Sequence, residues 1–303
     1  MNELPADFVN RVVSVYGPRG AAWLAELPAR IDRIASLWDL KVEVPFAELH
    51  YHYVTAAVRL DGSGAVLKLA VPGVEIDREA DCLRVYAGEG APVLLAHDSN
   101  LGALLMERVR PGHNLMGLDE AQAIAVACGL MSQLHKPVGE SAQFPTVADW
   151  GKGFGRLRGR FDGKTGPLPE SLVAKAEGVF WDLESAMAPP VLLHGDLHHG
   201  NVLASDRQPW LAIDPQGVIG ESAYEVGAFL RNPTPGVASR PDLRKLLASR
   251  VAMFSEIIDV DRRRIAGWGF AQAVLSAVWS VEDHGSGWGP ALAVAEALRP
   301  SLG

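Results

Sequence analysis

Two short stretches concentrate the residues that could do chemistry. Val191–Asn201 reads VLLHGDLHHGN, and Trp210–Gly217 reads WLAIDPQG. Each begins with an apolar run and ends in polar side chains, which bring Asp196, Asn201 and Asp214 close in sequence. Two carboxylates and an amide oxygen form a hard, oxygen-rich donor set that suits magnesium better than zinc. Gly195 and Gly200 make a helix unfavourable, so a compact loop in which Asp196 and Asn201 converge is expected. The runs VLL and WLAI are expected to pair as a hairpin holding both polar clusters at one end. Three neighbouring histidines, His194, His198 and His199, open a second chemistry. A metal-dependent hydrolase could use His194, His198 and Asp196, although no His-Glu-x-x-His occurs and no carboxylates stand ready to orient the imidazoles. Bracing of the loop by His194 and His198 is the favoured alternative.

The elements that must position these residues fall into two parts. Apolar residues recur at helical spacing from Phe8 to Leu40, punctuated by Gly17-Pro18, which predicts two leading helices. The period then changes. Val42–Leu49, Tyr51–Leu60, Ala65–Val71, Pro92–Ala96 and Ala103–Val109 read as five strands, with Asp61-Gly62-Ser63-Gly64 as a hairpin turn between the second and third. A helix over Ile76–Ala87 interrupts them. Lys68 sits in the apolar run VLKLAVPG. Either it points outward from an edge strand, or it is buried and needs an anionic partner. Glu79, one turn before Leu83 on the helix stripe, is a candidate, as is the plainer reading of a solvated surface acid. The Pro111-Gly112 break sets a boundary near Arg110, giving an N-terminal unit over 1–110 and a helical one over 111–303.

In the second part, Leu118–His135, Glu170–Met187, Pro241–Ile258, Asp261–Glu282 and Ala291–Leu298 carry helical periodicity. Asp149–Pro169 is rich in glycine and bases (GKGFGRLRGRFDGKTG). It follows no strand and lacks the Gly-Lys-Ser/Thr ending of a phosphate loop, so it reads as a surface connection. The 303 residues, 48% hydrophobic and 21% charged, are those of a globular protein. The net charge of −8, from 36 acids and 28 bases, argues against nucleic acid or an anionic membrane as partner and suits a cationic small molecule. Cys82 and Cys128 form no Cys-x-x-Cys pair. The acidic N-terminus without an apolar core is unlike a signal peptide, and no run is long enough to span a membrane, so a cytoplasmic protein is expected. Oligomeric state is not legible.

The order His-x-Asp-x-x-x-x-Asn, an apolar strand, then Asp is the one protein kinases use for base, metal ligand and metal ligand. HGDLHHGN followed by IDPQG resembles the aminoglycoside phosphotransferase family of the kinase-like fold. WLAIDPQGVIGESAYEVGAFLRNP and VLSAVWSVEDHG resemble its streptomycin 6-kinase and hydroxyurea phosphotransferase branch, and the likeness runs from Trp23 to about His284. The resemblance implies an α+β, two-lobed kinase-like fold with a small β-rich N-lobe and a larger helical C-lobe. It implies Asp196 as catalytic base, Asn201 and Asp214 as Mg²⁺ ligands, Lys68 on the α/β-phosphates of ATP and Glu79 as its helix partner. Met106–Val109 matches the hinge, where backbone groups of Glu107 and Val109 would meet the adenine edge. No Gly-x-Gly-x-x-Gly covers the phosphates; Tyr51–Thr55 (YHYVT) occupies that hairpin, leaving the task to backbone amides and Thr55. No Phe-Gly follows Asp214 and no Ala-Pro-Glu follows later, which argues against a switched activation loop and a protein substrate.

The expected activity is ATP-dependent phosphorylation of a small-molecule hydroxyl, on an aminoglycoside such as streptomycin or a related antibiotic. The alternatives are a hydroxyurea or metabolite kinase, the His/Asp hydrolase, and an inert nucleotide-binding module. Glu221, Glu282 and Asp283 are the candidate contacts to a polycationic acceptor, each with a competing reading as a solvated or capping charge.

Overall fold

The computed structural model describes residues 4–137, 139 and 144–303. The chain divides into two compact units, Met1–Arg110 and Pro111–Gly303.

The first unit begins with α1 (Ala6–Leu37), whose backbone breaks at Gly17 (φ 56°, ψ −135°) into two helical stretches. Its strands are β1 (Leu40–Pro45), β2 (Tyr53–Arg59), β3 (Gly64–Leu69), β4 (Leu94–Asp98) and β5 (Ala103–Glu107), with α2 (Val74–Tyr86) between β3 and β4. They form one antiparallel sheet in the order β1-β2-β3-β5-β4. Alternation along β3 divides its side chains between two faces. Ala65, Leu67 and Leu69 pack with Phe8, Val12, Trp23, Leu27 and Ile34 of α1 in one apolar cluster. Lys68 therefore lies on the opposite face, and β3 is the central strand of the sheet. The edge-strand reading of Lys68 is corrected by this topology.

The second unit contains β6 (Pro111–Asn114), α3 (Glu120–Leu134), α4 (Val147–Arg160), α5 (Glu170–Ser185), β7 (Val191–Leu193), β8 (Val202–Ser205), β9 (Trp210–Ala212), β10 (Val218–Gly220), α6 (Ser222–Leu230), α7 (Leu243–Ile258), α8 (Arg262–Asp283) and α9 (Gly289–Leu298). The helix α8 is buried nearly all round, as an axial helix must be, and packs against α4, α5, α6, α7 and α9.

Two expectations are overturned here. The runs VLL and WLAI do not pair: β7 pairs with β10, while β8 pairs with β9 in a three-stranded sheet ordered β6-β8-β9. The overlooked element is VLAS, which follows Asn201 directly and supplies the true partner of β9. The supposed connection after Asp149 is mostly α4, opened by a reciprocal capping box between Thr146 and Asp149. Two of its glycines, Gly151 and Gly153, mark close packing rather than a loop. A Cβ on Gly151 would lie 2.3 Å from the ring of Phe180. That ring is itself fixed edge-to-face against Phe154, Trp181, Tyr224 and Trp268.

Gly151→Ala sets these effects against each other. Alanine favours a helix by about 1 kcal/mol, but overpacking a fixed ring costs about 1–3 kcal/mol. Thermal unfolding should show a lower Tm for this variant, whereas Gly155→Ala, where nothing lies within 4 Å of the added carbon, should leave Tm equal or raise it.

Candidate active site

The loop between β7 and β8 carries Asp196 and Asn201, and the turn after β9 carries Asp214. Gly195 must be glycine twice over: its φ is +84°, and a Cβ would come within 2.8 Å of the Trp150 ring. The amides of His194 and Gly195 both donate to the buried Glu225 carboxylate of α6, at 2.7 Å and 2.9 Å. His194 is wholly buried and uses both ring nitrogens: Nδ1 accepts from the Asp196 amide at 3.3 Å and Nε2 donates to the Ile213 carbonyl at 2.9 Å. Burial holds its pKa below the ordinary histidine value, so the ring is neutral, as this pattern requires. His198 caps the short 3₁₀ turn His199–Asn201, its Nδ1 accepting from the Gly200 amide at 3.0 Å.

Asn201 donates from Nδ2 to the Asp196 carbonyl at 3.0 Å, which turns Oδ1 away and leaves it as a free acceptor. The Ile213 amide donates to the Asn201 carbonyl at 2.8 Å, so the residue before Asp214 is tied to Asn201. Asp214 itself holds φ 59°, a left-handed conformation that aspartate tolerates better than most residues and that turns the chain sharply after β9. An amide oxygen and a carboxylate fit Mg²⁺ as two of its ligands, with phosphate and water oxygens as the rest.

Asp196 remains 29% exposed. Arg231 donates to its Oδ1 at 3.0 Å, and His198 Nε2 lies 3.4 Å from Oδ2. Burial would raise the carboxyl pKa, but the His198 hydrogen bond and the Arg231 guanidinium outweigh it and hold the group well below the usual carboxylate range.

In the first unit Lys68 and Glu79 meet as an almost fully buried pair, Nζ to Oε2 2.6 Å. Glu107 ends β5, exchanging its amide with the Val93 carbonyl at 2.9 Å and receiving the Val93 amide on its carboxylate at 3.0 Å. Val109 lies just past the strand and makes no hydrogen bond among the described residues.

Three expected contacts are placed elsewhere. Thr55 is fully buried, and its hydroxyl is directed at the carbonyls of Glu43 and Val44 in β1 at 2.9 Å and 3.0 Å, so it braces the sheet rather than reaching a phosphate. Glu221 is also buried; it accepts from the Ala188 amide, from Arg264 Nε at 2.7 Å and from the Trp268 indole, and has no lone pair directed to solvent. Glu282 is held bidentate by Arg156 at 2.9 Å and 3.0 Å. Asp283 stands exposed at the end of α8. The hydrolase alternative fails as well: no three-ligand His/Cys/Asp/Glu cluster exists among the described residues, and both nitrogens of His194 are committed.

Of the two residues that hold this loop, Glu225 reads from the sequence as a structural acid at a helix start, whereas Arg231 escapes the sequence reading. Glu225 is a lone acid inside AYEVGAFL, and a single charge in an apolar helix is a signal of a buried partner. Arg231 follows directly in the same segment, with no local pattern to link it to Asp196.

A kinase-like phosphotransferase is the class that this fold and loop define. Residues 37–284 match the family described as aminoglycoside/hydroxyurea antibiotic resistance kinases, and the chain belongs to that family. It is 30% identical over an alignment of 309 positions to a streptomycin 6-kinase of Streptomyces glaucescens, covering 98% of this chain and 97% of the relative. It is 32% identical to a hydroxyurea phosphotransferase of Kitasatospora aureofaciens, covering 93% and 81%. Among solved structures, the aminoglycoside phosphotransferase APH(4)-Ia, in a ternary complex with ADP and hygromycin B, superposes with a TM-score of 0.64 over 89% of this chain and 97% of its own, at 14% identity. A choline kinase from Streptococcus pneumoniae gives 0.62 over 89% and 96%, also at 14%. No described helix is long and apolar enough to cross a membrane.

The Glu225 anchor has a testable pH signature. Burial would raise its pKa, but His135, whose Nε2 lies 3.5 Å away, together with the loop amides, holds it below the ordinary 4.5. A depressed carboxylate pKa stabilises the fold above the unfolded value and loses that contribution as pH falls through the folded one. Glu225→Gln should therefore lower stability at neutral pH by about 3 kcal/mol, since one amide would face the Gln NH₂ group. In denaturant titrations across pH, the wild-type and variant curves should converge below the ordinary glutamate range.

Proposed function

We propose that this enzyme transfers the γ-phosphate of ATP to a hydroxyl group of a small cationic antibiotic, with streptomycin as acceptor. The observation that carries the reading is the joining of Asp196, Asn201 and Asp214 through one pair of loops, with the Asp196 carboxylate still open to a ligand. The two streptomycin 6-kinases among its relatives, at 30% and 31% identity over more than nine-tenths of the chain, support the choice of acceptor.

In this reading Asp196 accepts a hydrogen bond from the acceptor hydroxyl and aligns its oxygen for in-line attack. As the new P–O bond forms and the bond to the β-phosphate oxygen breaks, the hydroxyl proton passes to the Asp196 carboxylate. A carboxylate of depressed pKa is a weak base, so Asp196 contributes mainly orientation, with proton acceptance late. Lys68, fixed by Glu79, would contact the α- and β-phosphates. Asn201 Oδ1 and the Asp214 carboxylate would hold Mg²⁺, which neutralises phosphate charge when bound. Backbone groups of Glu107 and Val109 would receive adenine. Hydroxyurea is a second acceptor, favoured by the relative of that activity.

A coupled ADP-release assay over streptomycin, other aminoglycosides, hydroxyurea and sugar metabolites tests the assignment. Streptomycin should give the highest kcat/KM. Asp196→Ala should lower kcat by about 10²–10⁴-fold while leaving ATP affinity in place. Equal turnover by Asp196→Ala and wild type, or acceptor-dependent ADP release with hydroxyurea but not with any aminoglycoside, would refute the catalytic and the substrate assignment respectively.

A further inference from the structure

Arg231 ends α6 and is the residue through which the helical core reaches Asp196. Its Nη2 donates to Asp196 Oδ1 at 3.0 Å and its Nη1 donates to Gln272 Oε1 at 2.7 Å. Gln272, on α8, is 1% exposed, and its Nε2 donates to the Tyr224 carbonyl at 3.2 Å. The guanidinium is therefore a rigid planar strut between a buried amide and the carboxylate. The two oxygens of that carboxylate are not equivalent. Oδ1 has a short charge-assisted bond from Arg231, whereas Oδ2 has only longer contacts, 3.4 Å to His198 Nε2 and 3.4 Å to Asn201 Nδ2.

We propose that Arg231 is a positioning residue for the phosphotransfer: it fixes the rotation of the Asp196 carboxylate so that Oδ2 is the oxygen presented to the acceptor hydroxyl. This rests on the reading of Asp196 as the group that meets the acceptor. Arg231 acts through Asp196, and Gln272 acts through Arg231. The arrangement accounts for a charged side chain at the C-terminal end of α6, where its own desolvation is costly.

The test compares Arg231→Ala, Arg231→Lys and Asp196→Ala in ADP release, with the organic acceptor that the wild type uses best, or with water as the acceptor if none is used. Arg231→Ala should lower kcat by about 10²-fold, the scale of an ångström-level misplacement, with KM for ATP within about twofold of wild type. Millimolar guanidinium ion should restore a large part of that kcat and leave the wild type unchanged. Arg231→Lys, which keeps the charge but not the two-pronged geometry, should fall between. Arg231→Ala should cost nothing further in an Asp196→Ala background. Wild-type kcat in Arg231→Ala beside an inactive Asp196→Ala would overturn the proposal alone. So would a loss that tracks a lowered Tm and is not recovered by guanidinium. Full activity of Asp196→Ala would remove the underlying reading as well.

Discussion

The buried carboxylate of Glu225 is the constraint on which the loop that carries Asp196 depends. A loop containing His-Gly-Asp has no secondary structure of its own to fix its amides. Two adjacent N–H groups, those of His194 and Gly195, are instead drawn to one carboxylate inside α6. That fixes the peptide planes immediately before Asp196, and the left-handed Gly195 then sets the direction in which the chain leaves. The same helix ends in Arg231, so a single rigid element holds both the backbone before Asp196 and the carboxylate itself. Positioning is the main service that phosphoryl transfer asks of a protein, and one helix clamped to α8 fixes the geometry of this loop.

The helix α8 in turn holds α6 at both ends. Near the start of α6, Glu221 accepts from Arg264 and Trp268; near its end, Gln272 meets Arg231. These are buried or half-buried ionic and amide contacts, and such groups gain little net stability over an apolar packing of the same shape. Their geometry is directional, however, and apolar contacts alone would let α6 rotate by an amount that matters to a reacting oxygen. In the first unit the pair of Lys68 and Glu79 plays a similar part. The lysine stands on the central strand, and the carboxylate of α2 holds its ammonium in one place.

Net charge does not locate the acids that a cationic acceptor would meet. Of the three acids considered for a cationic substrate, Glu221 is spent inside the core and Glu282 is covered by Arg156. The surface beside the loop is aromatic as well as acidic: Trp150, which abuts Gly195, meets Trp279 edge-to-face with centroids 5.6 Å apart. A total of −8 describes solubility and long-range field more than it describes the lining of a site.

The sequence by itself displays the motifs that could carry the chemistry and most of the elements. HGDLHHGN and IDPQG are local motifs, in which residue type and spacing carry the chemistry, and the five strands and long helices have periodicities that survive any tertiary context. Several matters were decided only by packing. Which strand pairs with β9 depended on VLAS, too short for its period to be read. That Gly151 lies inside a helix is hidden from local pattern, because the glycine makes room for the ring of Phe180, a residue of another helix. Thr55, Glu221 and Glu282 have the composition of ligand contacts but are consumed by partners far away in sequence, and no local pattern records that. Arg231 is the converse case: thirty-five positions from Asp196, it became part of the site only because α6 turns back against the loop. Spacing encodes what lies within one loop or one turn of helix; long-range hydrogen bonds are set by how the finished elements stack.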